Sequence, residues 1–228
     1  MGTWASRVSA VASLDEPTRR RLYEFVVAQP DPVSRDEAVD AVGAPRTTVA
    51  FHLDRLVAEG LLEVVFERRS GRTGPGAGRP SKLYRRSARH IEVSLPERRY
   101  ELAARLLADA FRESETSDDS PREVLYRRAR EVGAEIGASA RSGDAADREV
   151  TLRALTEFGF EPRDEDGAVV LVNCPFHSLA RQHTELVCGM NLHLLNGLLD
   201  GLDAAGLTAR LAPGPRHCCV RLDLDVHK

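Results

Sequence analysis

The sequence predicts an α+β chain with a winged helix-turn-helix at its N-terminus (1–90), linker and dimerisation helices (91–145) and a small C-terminal α+β sensor domain (146–228). Three observations carry this. Two short amphipathic patterns meet at a Gly-containing turn near Gly43 and run into two alternating stretches around a basic Gly/Pro segment. Two longer amphipathic patterns fill the middle. After Val150 helical and alternating patterns intermix, and all four cysteines lie there.

The first element is a helix from Ser13 to before Pro30, with Leu22, Phe25 and Val26 at helical spacing. The second runs from Ser34 to Gly43, where Ser34 and Glu37 form a capping-box pattern, Ala38, Val39 and Val42 make the apolar stripe, and Gly43 stops the helix. The third starts at Pro45, aligns Val49, Leu53, Leu56 and Val57, and ends at Gly60. Leu62–Phe66 and Lys82–Arg86 alternate as the strands of a hairpin with a long basic tip. In such an arrangement the third helix enters the DNA major groove and the wing follows the backbone or the minor groove. That assigns Arg46, Thr47, Thr48 and Phe51 to base edges and His52 and Arg55 to phosphates, Phe51 as core and the two threonines as caps being the plainer alternatives. Arg68, Arg69, Arg72, Arg79 and Lys82 supply the basic wing.

Charge agrees. Residues 1–90 hold 15 Lys/Arg and 11 Asp/Glu, the remainder 17 and 24, so only the first part attracts a polyanion. No apolar run approaches the roughly 20 residues of a membrane helix, and the first thirty residues lack a secretory pattern. A cytoplasmic chain with no membrane contact is therefore expected, a setting in which cysteines are reduced, metal-bound or redox-active more often than locked in structural disulfides.

In the middle, Ser94–Phe111 is read as a helix with Tyr100, Ala103, Leu107, Ala110 and Phe111 along its packed side. Pro121–Ala140 carries Leu125, Ala129, Val132 and Ile136 as a dimer seam, or as a face buried in its own subunit, and Gly133 and Gly137 permit close helix approach. Residues 141–149 read as a linker. Beyond them come a helix through Leu152, Leu155 and Phe158, a strand Ala168–Asn173, helices Pro175–His183 and Glu185–Leu202, a strand at Leu207–Leu211 and a last strand Cys218–Val226.

Cys174 is placed at a helix mouth, where free backbone donors favour a thiolate. His177 follows at Cys-x-x-His spacing, Cys188 opens the next helix, and Cys218 or Cys219 joins from the final strand. Three thiolates and one more ligand suit an iron–sulfur cluster or a zinc ion, and the lack of paired C-x-x-C knuckles tilts the reading toward a cluster. Small buried thiols without metal, beside a pocket for a small apolar effector, are the other alternative. No C-x-x-C, G-x-S-x-G or Gly-rich phosphate loop is present, so the chain is not read as an enzyme, a thiol-dependent one on Cys174 being the remote alternative.

The stretches TVAFHLDRLVAEGLLE and GRPSKLYRRS resemble ArsR/MarR-like winged-helix regulators over residues 13–87. That resemblance implies a homodimer on a palindromic double-stranded DNA operator. With its C-terminal NCPF, LVCG and CCV segments the whole chain resembles the SufR type of iron–sulfur-sensing repressors. This implies that Cys174, Cys188 and either Cys218 or Cys219 hold a cluster, 4Fe–4S favoured over 2Fe–2S. Where some members have a further cysteine, none lies between Cys188 and Cys218, so His177 is the first choice of fourth ligand, then His183 or Glu185, or an open site.

Overall fold

A computed structural model describes residues 3–67, 80–141, 148–165, 167–204, 206–214 and 217–224. The chain divides into two compact units, Met1–Val93 and Ser94–Lys228. The helices expected to stand apart over 91–145 belong to the second.

The N-terminal unit begins with a helix absent from the sequence reading, α1 (Trp4–Ser13), capped by Thr3 and ending where the next helix was expected to start. The second, α2 (Pro17–Val27), is capped by Glu16, whose carboxylate accepts from the backbone N–H groups of Thr18 and Arg19 at 3.0 and 2.6 Å. After β1 (Val33–Ser34) come α3 (Arg35–Val42) and α4 (Arg46–Ala58). The capping box is formed: Ser34 N–H donates to Glu37 Oε2 at 2.7 Å, and Glu37 N–H to Ser34 Oγ at 3.3 Å. Gly43 stops α3 at φ 67°, a left-handed conformation that costs glycine nothing, and so sets the turn between the two helices. Strands β2 (Leu62–Glu67) and β3 (Ser81–Arg86) pair antiparallel, and β1 adds to β3, giving the order β1-β3-β2. Leu22, Val26, Ala38, Val49, Leu53, Leu56, Leu62 and Tyr84 bury the inner faces together.

In the C-terminal unit α5 (Tyr100–Ser114) starts later than expected, after a non-helical segment at 94–99 that includes a cis Leu95–Pro96 bond. Its packed residues are Ala103, Leu106 and Ala110; Leu107 and Phe111, expected inside, are exposed. Helix α6 (Pro121–Ala140) is followed by α7 (Arg148–Phe158), then β4 (Pro162–Glu165), which the sequence reading missed, and β5 (Ala168–Leu171). Next come α8 (His177–Gln182), α9 (Thr184–Leu202), β6 (Leu207–Leu211) and β7 (Val220–Leu224). The sheet is antiparallel throughout, in the order β4-β5-β7-β6.

Helices α6 and α9 form the spine of this unit and run parallel, since successive turns of one meet successive turns of the other. A Cβ added at Gly133 would lie 2.0 Å from the Leu194 carbonyl oxygen, and one at Gly137 2.2 Å from that of Leu198. Reciprocally, Gly197 and Gly201 meet the carbonyls of Arg130 and Ala134 at 2.0 and 2.1 Å. Glycines on both helices bring the backbones into contact, as the sequence reading allowed for Gly133 and Gly137. The α6 stripe is therefore not a seam with another chain. Leu125 and Ala129 are buried in the unit's own core and Val132 and Ile136 pack against it, because α9 occupies that face.

Candidate functional site

Two sites can be built, one in each unit. On α4, Arg46, Thr47, Phe51 and Arg55 face outward and Thr48 is half-buried. Phe51 is 65% exposed, which excludes its core alternative. Arg46 is paired with Asp36 at 2.5 Å and Arg55 with Glu59 at 2.6 Å, both surface pairs that a phosphate or base edge can displace at small cost. His52 departs from expectation. It shares the buried side of α4 with Val49, Leu53 and Leu56, and its Nε2 lies 3.5 Å from Glu16 Oε2, so it faces α2 rather than the outer surface. Burial works against the Glu16 carboxylate, yet the Arg19 and Thr18 backbone N–H groups, aided by His52, hold its pKa below the usual value.

In the wing, Lys82 Nζ reaches back to Asp54 Oδ1 on α4 at 2.7 Å and lies over the Tyr84 ring; the bond to Asp54 outweighs burial and raises the lysine pKa. Tyr84 Oη also donates to Asp54, at 3.4 Å. Lys82 is thus a strut between wing and helix as well as a positive charge. Arg68, Arg69, Arg72 and Arg79 lie outside the described residues.

A family model described as a helix-turn-helix domain matches residues 14–65, the stretch from the end of α1 into β2. The N-terminal unit holds the helix-turn-helix domain of a DNA-binding transcription regulator. No curated protein and no solved structure matches the chain. Among the described residues no helix is long and apolar enough to cross a membrane.

The second site gathers all four cysteines from three segments. Cys174 follows β5, Cys188 is on α9, and Cys218 and Cys219 precede β7. Cys188 and Cys219 form a disulfide; Cys174 and Cys218 are buried thiols. Where one of Cys218 and Cys219 was expected to take part, both do. They lie ahead of the strand, so its two-residue alternation does not send them to opposite faces. The expected helix mouth at Cys174 also shifts. Helix α8 starts only at His177, whose N–H donates to the Cys174 carbonyl at 3.0 Å. The Cys174 thiol is lowered by the hydrogen bond from Cys218, against burial, with help from the Phe176 N–H and the Arg98 charge. Cys218 is pushed far up by Cys174 and by burial, so of the two thiols Cys174 is the one that loses its proton first.

Two side chains that the sequence reading missed support the pocket. Asn191, 1% exposed and one turn beyond Cys188, donates from Nδ2 to Cys218 Sγ at 3.3 Å, while its Oδ1 has no partner. Arg98 Nη1 donates to the Cys174 carbonyl at 3.2 Å and to Asn173 Oδ1 at 2.5 Å, and Asn173 Nδ2 donates to Gly159 O at 2.6 Å. The signal for Asn191 was present, three residues after a cysteine on a helix. For Arg98 there was none, because it is 76 residues from Cys174. The non-cysteine ligand candidates do not join: His177 and His183 are exposed, and Glu185 is exposed and paired with Arg122 at 2.6 Å.

Proposed function

We propose that the chain is a cytoplasmic transcriptional repressor, without catalytic activity, that binds a palindromic operator as a homodimer and reads iron–sulfur or redox status through the sulfur pocket of its C-terminal unit. The observation that carries the sensing half is the convergence of Cys174, Cys188, Cys218 and Cys219 with the buried Asn191. Four sulfurs from three segments are a complete donor set for a 4Fe–4S cluster, with zinc the alternative metal, once Cys188 and Cys219 are reduced. The four cysteines offer the right donor type without His177, though among the described residues no cysteine belongs to a group of three metal-ligand side chains gathered within 4.8 Å, so the cysteine segments would have to rearrange around the group. A cluster would supply an oxidation-sensitive link between the three segments. The chain's own residues do the rest: Asn191 directs an N–H at the Cys218 sulfur, Arg98 fixes the Cys174 backbone, and the surrounding apolar side chains limit water. On the DNA side Arg46, Thr47, Thr48 and Phe51 read base edges, while Arg55 and the wing arginines hold phosphates.

Purification without air, followed by absorption spectroscopy and iron and sulfide analysis, tests this reading. Brown protein that loses operator affinity after exposure to air supports it. Colourless protein with stoichiometric zinc defeats the cluster and leaves DNA binding standing. A second reading, favoured by the Cys188–Cys219 disulfide, is a metal-free thiol switch. It requires metal-free protein whose operator affinity still changes between reduced and oxidised forms and loses that change in Cys188→Ser.

A further inference from the structure

The chain passes from the N-terminal unit to the C-terminal one at a single point, between Val93 and Ser94. Residues 94–99 form no helix or strand, yet they are fastened to the segment that carries Cys174. Arg98 Nη1 donates to Asn173 Oδ1 at 2.5 Å and to the Cys174 carbonyl at 3.2 Å, and Asn173 Nδ2 donates back to the Glu97 carbonyl at 3.3 Å. Arg99 N–H donates to the Pro175 carbonyl at 3.1 Å. Apolar burial adds little, since Leu95 is 79% exposed and Pro96 is exposed beside it. A hold made of hydrogen bonds is undone when its acceptors shift by about 1 Å. The Arg99 side chain is anchored elsewhere. Its guanidinium donates to the Phe158 and Glu157 carbonyls, both at 3.0 Å, and these belong to α7 and do not travel with Cys174.

We infer that residues 94–98 are a strap pivoting on Arg99, fastened to Asn173–Pro175 while Cys174 is a free thiol and released when the Cys174 segment moves to join Cys188, Cys218 and Cys219 around a metal group. The inference rests on the iron–sulfur reading above and names how the sulfur pocket acts on DNA binding. A dithiol reductant supplies the two electrons and two protons that turn the Cys188–Cys219 disulfide into thiols, and is itself oxidised to a disulfide. Closing the sulfurs around the metal then carries Asn173 and the Cys174 and Pro175 carbonyls away from Arg98 and the Arg99 N–H. Release adds residues 94–98 to the free chain that joins the two units, about 17 Å more reach at full extension. The DNA-binding units of a homodimer must take up both halves of a palindrome together, and a tether too short to span them forfeits the second contact. The fastened strap is thus the low-affinity state, in keeping with its place in the metal-free disulfide form, and the released strap is the high-affinity one.

The test uses the full chain in two forms, air-oxidised and metal-free, or reduced and loaded with iron and sulfide without air, and titrates each with a palindromic duplex selected on the protein. Wild type is expected to bind at least about tenfold more tightly when loaded. Arg98→Leu and Asn173→Ala, which remove the two sides of the fastening, should bind in the air-oxidised form as tightly as loaded wild type, a gain that misfolding does not produce. Amide hydrogen exchange over 94–99 should be slow in oxidised wild type, fast in loaded wild type and fast in both forms of each variant. Equal wild-type affinity in the two forms overturns both the sensing reading and the strap. A wild type that responds, with both variants as weak as oxidised wild type, overturns the strap alone. So does slow exchange over 94–99 in loaded wild type.

Discussion

The two units put their chemistry in opposite places. In the N-terminal unit the residues that would touch DNA stand on the outer side of α4, away from a core of Leu22, Val49, Leu53 and Leu56. In the C-terminal unit Cys174, Cys188 and Cys218 belong to the buried interior, and the Cys188 helix lies backbone to backbone against α6. Function and stability are therefore separable at one end and joined at the other. A surface reading head can change residue by residue, whereas a buried sulfur pocket depends on every contact that holds its three segments together.

The largest effect should come from the joined end. Gly197→Leu places carbon atoms where the Arg130 carbonyl oxygen now lies 2.0 Å from a Cβ position, and carbonyl backbone cannot swing aside as a side chain can. On an exposed helix a glycine replacement would stabilise; here we expect a loss of about 3 kcal/mol or more in urea unfolding. Unchanged stability would mean that α6 and α9 are not in backbone contact, and the contrast between the units would lose its basis. Arg46→Ala probes the separable end. It removes only a surface pair with Asp36, so unfolding should shift by less than about 1 kcal/mol. Operator affinity should fall by about 1–3 kcal/mol in a binding titration, and non-specific DNA affinity by less. Equal losses on both DNAs would make Arg46 a phosphate contact.

The same difference explains what could be read in the sequence. Capping by Ser34 and Glu37, the stop at Gly43, the buried row on α4 and the two wing strands are local, and each was legible from spacing. His52 was misplaced because a histidine beside exposed Arg55 carries no mark of the Glu16 that faces it 36 residues earlier. In the C-terminal unit the cysteines were visible as a set, yet their pairing was not: Cys174 with Cys218 and Cys188 with Cys219 are decided by how three distant segments meet. On α5, spacing alone did not separate Leu106 from Leu107, since two adjacent leucines satisfy either of two helical faces, and only the packing partner chooses.

A smaller test lies in the local signals. Ser34→Ala removes the acceptor for the Glu37 N–H at the start of α3 and should cost about 1 kcal/mol of stability in the N-terminal unit. Because α3 and α4 meet at the Gly43 turn, operator affinity should follow stability only near the melting temperature. A loss of affinity well below it would show that the cap also positions the reading helix, and the separation drawn between stability and readout in this unit would narrow.

The smallest effect concerns Glu16, which caps α2 and faces His52. Its folded-state pKa is lowered, so its contribution is present above the ordinary carboxylate value of about 4.3 and disappears as pH falls through the lower folded value. Glu16→Gln should therefore be less stable than wild type at neutral pH, by under about 1 kcal/mol given the partial exposure of the carboxylate. The two proteins should converge in strongly acidic buffer, where Glu16 is itself neutral. A difference that persists there would assign the effect to packing of the side chain rather than to its charge, and the Glu16–His52 contact would then join α4 to α2 by shape alone.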